Sequence, residues 1–146
     1  MENYTAVVST TITTSLAKAW QALIDPRIIK EYMFGTEVVS DWNEGATIIW
    51  KGEWQGKPHE DKGVIKKIEP EQLIQYTHFS PLEGKTETVE NIHTITITLS
   101  SLGNDITVTL SQDNNQTVEA RRHSEKNWQM MLDGMKKFLE QSSNLK

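Results

Sequence analysis

Between residues 36 and 113 apolar and polar side chains alternate with a period of two, and on either side the period lengthens to that of a helix. The pattern predicts strands near 37–42, 46–55, 58–69, 72–79, 89–101 and 104–113. Gly45, Gly56, Pro58, Pro70-Glu71, Pro81 to Gly84 and Gly103-Asn104 serve as breaks. Alternation is clearest over 89–110. Val89, Asn91, His93, Ile95, Ile97 and Leu99 share one phase, and Thr94, Thr96 and Thr98 the other. Ile106, Val108 and Leu110 then alternate with Thr107 and Thr109. One wet face and one dry face describe an antiparallel sheet covered on one side.

Before this region, residues 4–12 carry a β-branched run suited to a first strand. Thr14 or Ser15 can cap a helix in which Leu16, Trp20, Leu23 and Ile24 form one apolar stripe. Asp25 caps a second short helix, with Pro26 at its first position, where a missing N–H costs nothing. Ile28, Ile29 and Tyr32 give it a buried side, and Gly35 suits its stop. The last segment, 119–141, aligns Trp128, Leu132, Met135 and Leu139, flanked by Met131 and Phe138.

The dimensions of these elements dictate how they assemble. The final helix is roughly 34 Å long but only about 10–12 Å across. Seven strands make a sheet about 30 Å wide. A flat sheet would leave apolar surface exposed on both sides of that helix, so the sheet has to curl around it. The two short helices then close one edge. A curled sheet around one helix rarely fills completely, and a cavity between them is an expected by-product.

The 146 residues suit a single domain, spanning 1–146, that buries roughly 70% of the surface of its unfolded chain. No apolar run approaches the ~18 residues of a membrane span, so membrane insertion is not expected. The start, Met1-Glu-Asn-Tyr-Thr, lacks the basic and apolar regions of a signal peptide. With no cysteine there is neither a disulfide framework nor thiolate chemistry, and the expected location is cytoplasmic. The sequons at Asn3 and Asn115 then read as chance. A net charge of −5 with scattered basic residues argues against nucleic-acid binding.

The order of elements and their landmarks resembles the START-like (SRPBCC, birch-pollen-allergen-like) superfamily, whose members have a helix-grip fold. The likeness is carried by Trp20 with Leu23-Ile24-Asp25-Pro26, by Tyr32-Met33-Phe34-Gly35, and by Gly45 with Trp50-Lys51-Gly52-Glu53-Trp54-Gln55-Gly56. Gly63-Val64, Ile68-Glu69-Pro70, Leu73, Tyr76 and the Trp128 to Leu132 helix extend it over nearly the whole chain. Within the superfamily the chain is similar to the heat-shock-protein-90 ATPase activator homologue group. The resemblance implies an α+β, β-α-α-β6-α topology, with a curved antiparallel sheet wrapped around a long C-terminal helix. It also implies an internal pocket, in a superfamily many of whose members bind small apolar molecules and some of which are cyclases. Co-chaperones of the group use a further N-terminal domain to bind the chaperone, for which this chain leaves no room.

Several residues could carry chemistry. Trp50, Gly52 and Trp54 point to one face of a strand. They either form a slot for a flat apolar ligand, or Gly52 lets a bent strand turn its corner. His93 and Asn91 share the apolar phase, which makes them a polar spot in the pocket or a satisfied part of the core. Trp20, Tyr32, Trp128, Met131 and Met135 are candidate cavity-lining residues that also have helical core spacing. His59, His78 and His123 show no metal-ligand spacing, so neither a metal nor a cofactor is expected. Glu37, Asp41 and Glu53 would need to converge to make a carboxylate acid/base pair, and a solvated position is the simpler reading of each.

Three functions follow. One is a binder of a small apolar ligand in the sheet–helix cavity. Another is a protein-interaction module linked to chaperones or stress. The third is a cyclase-like or hydrolytic enzyme using His93. An open sheet edge can also support a homodimer.

Overall fold

The computed structural model describes residues 4–54, 56–79 and 92–144. Strand β1 (Tyr4–Ile12) leads into helices α1 (Leu16–Ile24) and α2 (Pro26–Tyr32). Strands β2 (Glu37–Ser40), β3 (Thr47–Trp54), β4 (Lys57–Glu69), β5 (Leu73–His78), β6 (His93–Leu102) and β7 (Asp105–Asn115) follow. Helix α3 (Val118–Asn144) comes last. Among the described residues the seven strands form one curved antiparallel sheet in the order β1-β7-β6-β5-β4-β3-β2. The helix pair thus carries the chain from one sheet edge to the other, and a meander brings it back beside β1. This is the β-α-α-β6-α helix grip.

The sequence predicts β2 two residues longer than it is. Trp42 adopts a left-handed conformation (φ 57°), and its N–H binds the Ser40 Oγ at 3.1 Å, which turns the chain off the sheet. Predicted strand residues 89–91 and the turn at 81–84 lie outside the described residues.

The first turn of the helix pair is fixed by capping. Ser15 Oγ accepts from Lys18 N at 3.1 Å and starts α1. Asp25 ends one helix and begins the next. Its N–H donates to Gln21 O, and its carboxylate accepts from Arg27 N at 2.9 Å and from the Gln21 amide at 3.2 Å. The Arg27 guanidinium closes on both carboxylate oxygens, at 3.2 and 3.0 Å. Hydrogen bonds from the Arg27 side chain, then from Gln21, hold this carboxyl at about 2, down from 3.8.

A carboxyl with a lowered folded-state pKa favours the folded chain above its unfolded value, and that contribution is lost as pH falls from about 4 through about 2. The Asp25→Asn protein is therefore expected to show a shallower fall of its urea midpoint across this acid range than the native protein. Superimposable acid limbs would mean that Asp25 does not carry the linkage.

The core lies between the sheet and α3. Ile12, Ile48, Ile65, Ile74, Ile95, Val108, Leu110, Leu132 and Met135 are completely enclosed. Helix α3 packs across β1 and β7 and against α1 and α2. Its far end is tied to β1 by polar contacts. Glu140 accepts from Thr13 N at 3.1 Å and from Lys136 Nζ at 2.8 Å, and Lys136 also reaches Thr11 O. Nearer the start of α3, Glu125 accepts from Val7 N at 3.2 Å.

Candidate functional site

A pocket of about 520 Å³ opens at one end of this grip. Its position follows from the inward phases of three adjacent strands, each of which ends in a polar residue at the same end of the sheet. On β5, Ile74 and Tyr76 lead to His78. On β6, Ile97 and Ile95 lead back to His93. On β7, Val108 and Leu110 lead to Gln112. His78 and His93 are direct cross-strand partners, and Ile95 faces Gln112. Opposite stand Ala120, His123, Ser124, Asn127, Trp128 and Met131 of α3. Met33 and Phe34, from the turn after α2, form the mouth.

The sheet is held open here by side chains that replace the ladder. Regular β6–β7 pairing stops at Ile95 and Gln112. Beyond it, Thr94 N donates to Asp113 Oδ1 at 2.6 Å, His93 Nδ1 to Asp113 O at 2.9 Å, and Asn114 Nδ2 to Ile92 O at 3.0 Å. Asn114 takes a left-handed conformation (φ 60°), which Asn tolerates better than most residues. On the other side the β1–β7 register shifts between Ala6↔Gln112 and Tyr4↔Asn115, so β7 carries a bulge. The bulge turns Asn115 inward.

Gln112 and Asn115 are the buried polar residues of this region, and a closed network satisfies them. The Trp128 indole N–H donates to Gln112 Oε1. Gln112 Nε2 reaches Ser124 Oγ at 3.3 Å and Asn115 Oδ1 at 3.5 Å. Ser124 Oγ donates to Asn115 Oδ1 at 2.9 Å. Asn115 Nδ2 donates to the carbonyls of Tyr4 and Gln112, both at 3.0 Å. This wall of the pocket is rigid because its donors and acceptors answer one another.

The ten sequence-predicted lining residues separate. His93, Trp128 and Met131 face the pocket. Tyr32 and Trp50 instead border a second space of only about 20 Å³, deeper between the helices and the sheet. The Trp50 ring lies 5.2 Å from that of Tyr76 and 5.0 Å from that of His78, aromatic neighbours reached across β4. Tyr32 Oη donates to Ala22 O at 2.6 Å, and burial pushes the Tyr32 and Tyr76 phenols well above their ordinary range. Trp20 and Met135 are core residues that border neither space, and Gly52 borders neither. Asn91 lies outside the described residues, as do the side chains of Trp54 and His59. Glu37, Asp41 and Glu53 are exposed.

Sequence reasoning missed His78, Gln112, Asn115 and His123. His78 and Gln112 were visible as polar ends of apolar phases. Asn115 was not, because the β7 bulge breaks the period it would have been read from. Among the described residues no three His, Asp or Glu side chains converge as a metal site would require. No helix of the described residues is long and apolar enough to cross a membrane.

The family model described as Activator of Hsp90 ATPase homolog 1-like protein matches residues 13–140. The chain belongs to that family. As an activator-homologue-like domain it is similar over 99% of both chains to ChR145 of Cytophaga hutchinsonii, solved in solution, with 53% identity and a TM-score of 0.86. It also shares its fold with a Mesorhizobium loti protein, at 18% identity and TM-score 0.77 over 94% of this chain and 98% of that one. The same holds for the Aha1 dimer of Colwellia psychrerythraea, at 20% identity and TM-score 0.74 over 94% and 96%. No curated protein matches this member of the family.

Proposed function

We propose that this domain binds a small, uncharged, largely apolar molecule in the pocket between β5–β7 and α3. The observation that carries this reading is an aperture of about 520 Å³ at the end of an otherwise well-filled core. That size lies in the range of small-molecule sites, which are mostly apolar with a few placed polar groups. Met33, Phe34, Trp128 and Met131 supply the apolar surface. Membership of the family supports the fold in which such a pocket forms, and a shared fold leaves the ligand open.

Ala120 tests the reading, because it borders the pocket while its side chain is exposed. Native mass spectrometry of protein purified without detergent is expected to show a small apolar adduct, removed by organic extraction. Ala120→Trp should place an indole across the opening and abolish the adduct, with a thermal midpoint within a few degrees of the native one. An adduct that persists at full occupancy in Ala120→Trp would put the ligand elsewhere and sink the proposal.

A further inference from the structure

Resting on that reading, we infer that the cross-strand pair His78 and His93 is a double hydrogen-bond acceptor. It would select an uncharged ligand carrying two O–H or N–H donors on an apolar body. The two residues face each other across β5 and β6, and both border the pocket. Directly opposed residues on one sheet face have Cβ atoms about 4.5–5.5 Å apart, which places both side chains within reach of one small ligand.

Each ring is held by a group that can only accept. His78 Nε2 lies 3.0 Å from the Asp61 carboxylate, and His93 Nδ1 lies 2.9 Å from the Asp113 carbonyl. Those nitrogens must therefore carry the protons. In the neutral rings the remaining nitrogens, Nδ1 of His78 and Nε2 of His93, present lone pairs. Neither has a hydrogen-bond partner among the described residues. The Trp50 ring, edge-on to His78 at 5.0 Å, restricts rotation of that imidazole.

The remaining wall sharpens the selection. The Gln112 and Asn115 side-chain carbonyls already accept from Trp128, Ser124 and Gln112, and His123 Nε2 accepts from Asn127 at 3.1 Å. Among the described residues no Asp, Glu, Lys or Arg side chain borders the pocket, and an uncharged ligand loses less hydration on entering it. A ligand that offered only acceptors to the two histidines would leave buried lone pairs facing lone pairs. Rejection of an analogue lacking its donors is the discrimination that buried polar groups provide most strongly.

The test is isothermal titration calorimetry at mildly alkaline pH, with naphthoresorcinol and its dimethyl ether as a matched pair. The native protein is expected to bind the diol at least about tenfold more tightly than the ether. His78→Phe and His93→Phe, each checked for an intact fold by circular dichroism, should bring the two compounds to within about threefold. Should one variant fail to fold, the other carries the comparison. Equal binding of diol and ether by the native protein would overturn the inference and leave the pocket reading standing. Binding of neither would overturn both. Micromolar binding of zinc, lost in either variant, would replace donor recognition with metal ligation and so overturn the inference.

Discussion

Trp50→Ala is expected to lower the unfolding free energy by about 4 kcal/mol, measured from the urea midpoint at constant slope. The indole is only 6% exposed and packs against Tyr76 and His78. It also borders the space of about 20 Å³ that Leu23, Ile29, Tyr32, Val38, Ile48 and Ile74 surround. Removing it would join that space to the volume of the lost ring. Apolar walls keep such a cavity dry and able to take up a small aromatic molecule. Added indole should therefore raise the thermal midpoint of the variant and leave that of the native protein unchanged. A loss below about 1 kcal/mol would mean that Trp50 is not the core filler described here.

Gly63→Ala is the second large effect, and it works by collision. Gly63 pairs with Ile48 of β3 on one side and lies beside Thr77 of β5 on the other. A Cβ at this position would drive into the Thr77 carbonyl oxygen and carbon. These are backbone atoms, so no rotamer change can relieve the clash, and the strands must part. The same stretch carries the Val64 N to Thr77 Oγ1 bond at 2.9 Å and the Lys62–Phe79 bridge, which would be lost with it. A destabilisation of about 3 kcal/mol or more is expected in chemical denaturation. Thr77→Ser in the same chain should not restore it, since the obstructing atoms are main chain. Native-like stability in Gly63→Ala would show that β4 and β5 do not approach so closely.

The two variants mark where the sequence could be read and where it could not. The period-two phases and the Ser15, Asp25 and Pro26 signals are local, and the structure follows them closely. Trp50 was legible as an inward residue, but what it faces depends on Tyr76 and His78, two strands away in the sheet. The pocket lies instead where ladder bonding gives way to Asp113 and Asn114, at a bulge whose added residue breaks the period. His93 continues the inward phase of β6 to that point, and Trp128 and Met131 follow the helical period of α3. His78 carries the same signal at the inward end of the β5 phase. The curvature of the sheet came from comparing element sizes, a global constraint that no single residue expresses.

The hydrogen-bonded wall of Gln112, Asn115, Ser124 and Trp128 has a consequence for descent. The groups that hold the pocket open lie on one side, and Met33, Phe34 and Ala120 at the mouth take no part in that network. Phe34 is 79% exposed, and Ala120 is exposed as well. Exposed positions outside such networks tolerate replacement at little cost in stability. Over descent the mouth residues, and with them the shape of the opening, are therefore freer to change than the frame behind them.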